Sequence, residues 1–100
     1  MHYLLIYETA ENFVEHRAPY RAEHLALAWA ASQRGELILG GPFADPMDGA
    51  ALLFDGKSPA VAEDFARSDP YVMHGLIRRW TVRTWNTAVG EYAANPVREA

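Results

Sequence analysis

The chain has no cysteine, so any chemistry it performs rests on histidine, carboxylates and hydroxyls. Two residues stand out by type and setting: His24 in "YRAEHL" and Asp69 in "ARSDPYVMHGL". Imidazole titrates near neutrality and can move protons in either direction. A carboxylate that accepts a hydrogen bond from one imidazole nitrogen fixes the tautomer and makes the other nitrogen a better base. His24 and Asp69 are therefore the candidate catalytic pair.

Each also has a structural reading. His24 stands at helical spacing from Tyr20, Leu27, Ala28 and Ala31, an apolar stripe that turns it toward the core. A core histidine satisfied by a backbone carbonyl or a tyrosine produces the same pattern. Asp69, directly before Pro70, is a natural helix N-cap with proline in the first turn. Cap and orienter are compatible roles, because a carboxylate has two oxygens.

Candidate ligand contacts surround the pair. Gly40-Gly41-Pro42 interrupts an otherwise apolar strand. Paired glycines there mean either a bulge or a backbone that a ligand approaches closely. Tyr71 and His74 follow Asp69 closely and are the remaining candidates, His74 at a pocket mouth. Tyr7, Tyr20, Tyr71, Trp80 and Trp85 also fit a role as core or interface aromatics. His2, at the terminus, and His16, in a polar segment, are weaker candidates. No histidine pair has i,i+4 spacing and no HExxH occurs, so a metal site is not expected. G-x-S-x-G, P-loop and G-x-G-x-x-G motifs are also missing, and the reading calls for no cofactor.

The bulk composition narrows the partners. Nine basic against 13 acidic residues give a net charge of −4, and Lys57 is the one lysine. Phosphate backbones need clustered cations, so nucleic acid is not an expected partner. The apolar run near the start is far shorter than the ~20 residues of a membrane span. It also lacks a basic leader and a cleavage site, so a cytoplasmic chain without membrane contact is expected. At 100 residues the expectation is a single domain spanning 1–100, with a core at about 3–89 and a tail over 90–100.

The elements that must position the pair follow from pattern. His2 to Tyr7 is apolar on both parities and reads as a buried strand. Pro19 to Arg34 is rich in helix formers, begins with proline and ends at Gly35. Glu36–Phe43 and Ala50–Phe54 read as a hairpin across the turn formers of "ADPMDGA". Ser58 and Pro59 start a second helix. The last strand is expected over Ile77–Val89, with a bulge near Arg83 or Thr84 to reconcile the parities of Trp80 and Trp85. The order β-α-β-β-α-β predicts an α+β, ferredoxin-like fold, an antiparallel sheet with two helices on one face.

The blocks "YLLIYE", "RAPYRAEHL", "GELILGGPFADPMDGAALL" and "ARSDPYVMHGL" resemble the YciI-like (YCII-related) family over about residues 3–89. The resemblance implies a ferredoxin-like fold assembled as a dimeric α+β barrel, with one histidine and one aspartate, here His24 and Asp69. A relative in that group eliminates chloride from a chlorinated hydroxyhydroquinone, and muconolactone isomerases share the barrel. It therefore implies a small-molecule ligand and a proton-transfer enzyme of the isomerase, dehydrohalogenase or lyase type. An oxygenase of the same superfold, a haem protein ligated through His24 and a non-catalytic ligand-binding or regulatory dimer are the competing readings.

A strand apolar on both parities leaves the second sheet face in need of cover, and a twofold copy of the chain is the simplest cover. Light scattering at micromolar concentration should return the mass of a homodimer packed sheet to sheet; a monodisperse monomer would overturn this expectation.

Overall fold

The computed structural model describes residues 1–99. In chain order the elements are β1 (His2–Thr9), α1 (Phe13–His16), α2 (Ala18–Gln33), β2 (Leu37–Pro42), β3 (Gly49–Asp55), α3 (Ala60–Ser68), α4 (Pro70–Met73) and β4 (Ile77–Trp85). The four strands form one antiparallel sheet in the order β2-β3-β1-β4. This is the α+β ferredoxin-like arrangement, with the short turn α4 that Asp69 and Pro70 start and one added single-turn helix, α1.

The sheet has two unlike faces. Tyr3, Leu5 and Tyr7 of β1 are buried on the helical side, opposite Phe54, Leu52 and Ala50 of β3 and Thr84, Val82 and Trp80 of β4. Helix α3 lays Ala62, Phe65 and Ala66 on this side, with the Phe65 and Phe54 rings 5.3 Å apart. The opposite parity carries Leu4, Ile6, Ala51 and Leu53, all half-buried, beside exposed Leu39 and Trp85. The double apolar parity of β1 thus corresponds to a packed face and an open apolar one.

Local signals set the helix ends. Gly35, at φ 81°, donates to the Ser32 carbonyl and turns the chain so that Glu36 donates to that of Ala31. Ser58 Oγ accepts the Ala60 N–H at 3.2 Å, and Pro59 already has helical angles. The segment read as polar contains the extra turn α1, because Phe13 is buried and pins it.

Two expectations about the strands are corrected. No bulge falls near Arg83 or Thr84: the ladder runs unbroken from His2↔Trp85 to Glu8↔Arg79, and the shift lies between Glu8 and Thr9. The strand stops at Trp85, so Val89 never shares a sheet face with it. Trp85 simply points to the open side, which tolerates an aromatic. The other irregularity is between Leu37 and Leu39, so Ile38 is the extra residue and the two glycines lie in regular pairing. After β4 the tail folds on itself, Asn95 N–H donating to Thr87 O and Val97 N–H to Ala88 O. No helix among the described residues is long and apolar enough to cross a membrane.

A Cβ at Gly49 would collide with the Tyr7 carbonyl oxygen and lie 3.2 Å from the Phe43 ring, whereas one at Gly41 would meet nothing within 4 Å. Gly49→Ala should therefore cost about 1–3 kcal/mol in urea unfolding, and Gly41→Ala should stay within about 0.5 kcal/mol of wild type. Equal midpoints for the two variants would contradict this assignment.

Candidate functional site

Helix α2 packs on β2 and α4. It buries only Ala31 fully, with Leu27 and Ala28 partly covered. A cavity of about 420 Å³ lies between helix and sheet, bounded by α2, the whole of β2, Tyr7 and Thr9 of β1, and Tyr71 of α4. His24 lines it.

The structure brings His24 and Asp69 into direct contact. Nδ1 of His24 is 2.9 Å from Oδ1 of Asp69, and the carboxylate is fully buried while the imidazole retains 16% exposure. Asp69 has an extended backbone (φ −74°, ψ 121°) between α3 and α4, and its Oδ1 also accepts the Tyr71 N–H at 3.0 Å. Its other oxygen, Oδ2, accepts the Tyr7 hydroxyl at 2.7 Å. One side chain therefore caps α4 and meets donors from β1 and α2. All buried polar side-chain atoms among the described residues have partners.

These contacts assign the tautomer. Tyr71 N–H donates to Oδ1 and the Tyr7 hydroxyl donates to Oδ2, so both Asp69 oxygens act as acceptors. With Oδ1 accepting, the hydrogen of the His24–Asp69 contact belongs to Nδ1. Nε2 then presents its lone pair on the opposite edge of the ring, with no hydrogen-bond partner among the described residues. Ring orientation is set as well. Tyr71 stacks on His24 with centroids 4.0 Å apart and 14° between planes, and Phe13 meets Tyr71 edge-on at 5.2 Å. Burial, then the Asp69 charge and hydrogen bond, hold the Tyr7 phenol far above its ordinary pKa. Burial also raises Tyr71, against the lowering fields of Arg17 and Arg21.

Of the expected contact residues, Gly40, Gly41, Pro42 and Tyr71 border the cavity, but His74 does not. The His74 ring lies exposed, stacked on Tyr20 at 4.1 Å, because Gly75 (φ 76°) turns the chain away toward β4. His2 and His16 are elsewhere, hydrogen-bonded to Thr87 Oγ1 at 2.7 Å and the Asn12 carbonyl at 3.0 Å. A Cβ at Gly40 would sit 2.9 Å from Leu52 Cγ, so packing alone demands glycine there. Phe43 donates to Gly49 O, which makes 43–49 a hydrogen-bonded pair; by alternation the Gly40 N–H and C=O point away from β3 at the free edge.

Tyr7 is the site residue that sequence reasoning missed. It fits the buried parity with Tyr3 and Leu5, and no local signal tells a core tyrosine from one whose hydroxyl meets a carboxylate 62 positions away. Among the described residues no group of three or more His, Cys, Asp or Glu is placed to hold a metal.

The chain is similar to known proteins in sequence and in fold. A family model described as a YCII-related domain matches residues 1–86. No curated protein matches at a significant level. The solved structure of 5-chloro-2-hydroxyhydroquinone dehydrochlorinase (TftG) from Burkholderia phenoliruptrix, in complex with 2,5-dihydroxybenzoquinone, superposes with a TM-score of 0.72 at 22% identity, covering 85% of this chain and 93% of that one. Protein Atu4242 from Agrobacterium tumefaciens superposes with a TM-score of 0.52 at 18% identity, over 94% and 98% of the two chains. At these identities the likeness is one of fold.

The buried phenol predicts an alkaline signature. The unfolded phenol loses its proton near 10.0 while folded Tyr7 keeps it. The folded state thus binds more protons above that pH: its stability is intact below and declines above, by up to about 1.4 kcal/mol per pH unit per phenol. Tyr7→Phe should flatten this decline in urea titrations, while costing about 1–3 kcal/mol at neutral pH because Oδ2 loses its donor. Identical alkaline slopes in wild type and variant would contradict the assignment.

Proposed function

The chain belongs to the YCII-related domain family, and from that premise we propose that it is a cofactor-independent enzyme of proton transfer acting on a small, ring-derived substrate. The observation that carries this reading is the 2.9 Å contact between His24 Nδ1 and fully buried Asp69, at the wall of a cavity sized for a small ring. Asp69 orients the imidazole and stabilises the imidazolium that forms, and Nε2 is the acid/base atom. The apolar walls keep water from competing for the proton and strengthen local electrostatics.

The steps balance without an oxidant. In an elimination from the keto tautomer of a chlorinated hydroxyquinol, Nε2 takes the proton of a ring hydroxyl conjugated with the halide-bearing carbon. The O–H pair becomes a carbonyl, the ring double bond shifts toward that carbon, and the halide leaves with its bonding electrons. The imidazolium then gives its proton to water. In an isomerisation the same nitrogen takes a proton from one carbon and returns it to another. The dehydrochlorinase that shares this fold has a name that places its chemistry in the first class. Gly40, Gly41, Pro42 and Tyr71 form the substrate-facing wall.

The working unit is a homodimer in this reading. Leu4, Ile6, Ala51, Leu53, Leu39 and Trp85 make an apolar patch on the open sheet face, which a second copy would cover by twofold sheet packing. Leu53→Asp should convert the dimer to monomer in light scattering, and a dimer that survives the change would move the interface elsewhere.

The catalytic test is a panel of chlorinated hydroxyquinols and lactones, followed by chloride release or ring absorbance. His24→Gln keeps hydrogen bonding but removes acid/base capacity, so turnover should fall by about 10²–10⁴-fold while ligand affinity changes less than about tenfold. Ligand binding with no turnover in wild type would instead identify a non-catalytic binding dimer.

A further inference from the structure

We infer that the cavity beside His24 selects uncharged hydroxylated rings and rejects their carboxylates, an inference that rests on the ring-substrate reading above. The polar groups on the cavity wall are the hydroxyls of Thr9 and Ser32, the phenols of Tyr7 and Tyr71, the Gly40 backbone and the His24 imidazole, which is already paired with Asp69. No arginine or lysine among the described residues lines it. The charge directly behind His24 is negative, that of the Asp69 carboxylate. A carboxylate or phosphate on the ligand would lose its hydration without a cation to replace it and would stand near that like charge.

Two arginines whose fields reach Tyr71 stay outside the cavity wall. Arg17 lies over the Phe13 ring at 5.6 Å and directs Nη1 toward Met47 Sδ at 3.8 Å, while Arg21 is exposed on α2. Their field reaches Tyr71, yet burial outweighs it there and the phenol is still raised. A neutral hydroxyl faces no such penalty. It can donate to Nε2, and a second hydroxyl can pair with Ser32 or the free Gly40 edge. The apolar remainder of the wall, Leu25, Ala28, Trp29 and Leu37 among others, suits the ring itself.

The test is calorimetric titration of the whole chain at neutral pH with two ligands that differ in one group: hydroquinone, and gentisate, the same ring with a carboxylate. Quenching of Trp29, the tryptophan that lines the cavity, reports where each binds. The neutral ring should bind at least about tenfold tighter. Ser32→Arg places a cation in the wall and should narrow or reverse that ratio; Leu25→Arg, at the more exposed rim, serves if Ser32→Arg fails to fold. Equal or tighter binding of gentisate by wild type would overturn the charge selectivity and leave the ring-substrate reading standing. If neither ring binds, both fall.

Discussion

A carboxylate removed from water has to be surrounded by donors, and at Asp69 that requirement ties the molecule together. The side chain is fully buried and takes its hydrogen bonds from Tyr7 on β1, His24 on α2 and the backbone of Tyr71 on α4. Three elements converge on one carboxylate through contacts of 2.7, 2.9 and 3.0 Å. Without the aspartate, the phenol and imidazole would be left facing apolar surroundings; without them, the charge itself would be stranded. Asp69 therefore does local and distant work with separate lone pairs, capping a single helical turn and holding an imidazole in one tautomer.

The cavity follows from how the helices share the sheet. Helix α3 packs across β1, β3 and β4 with small and aromatic residues, while α2 reaches the edge strand β2. Because α2 is fully buried only at Ala31, the stretch near His24 stands over a hollow. In the facing strand, Gly40 lets Leu52 pack closely across the ladder. A site with a protonatable nitrogen, an apolar wall and a free backbone edge results from ordinary packing of unequal helices on one sheet face.

The other face of that sheet gives the fold its second character. Its apolar residues come from the same strands that build the core, one residue out of phase, so a single apolar run serves two surfaces. The match of residues 1–86 to the YCII-related family and the shared fold with the dehydrochlorinase agree with the element order read from pattern. The tail beyond residue 86 lies outside that match and folds through its own backbone bonds, anchored where Thr87 meets His2.

Features set by local chemistry were legible from the residues alone. Pro19 and Gly35 bound α2, Ser58 and Pro59 start α3, Asp69 caps α4, and the 3.6-residue stripe turns His24 inward. What escaped depends on neighbours distant in sequence. The parity conflict in β4 vanished because Trp85 points to the open face of the sheet and the strand ends there, before Val89. His74 lies beside Gly75, whose left-handed turn carries it away from the cavity. Tyr7 joined the site through a hydroxyl whose partner is 62 positions on. Sequence by itself determined the elements, their order and which residues could hold or move a proton, since these follow from backbone propensity and side-chain type. Tertiary structure decided which groups meet, because a hydrogen bond between strand, helix and cap exists only once packing has excluded the water that would otherwise satisfy each of them.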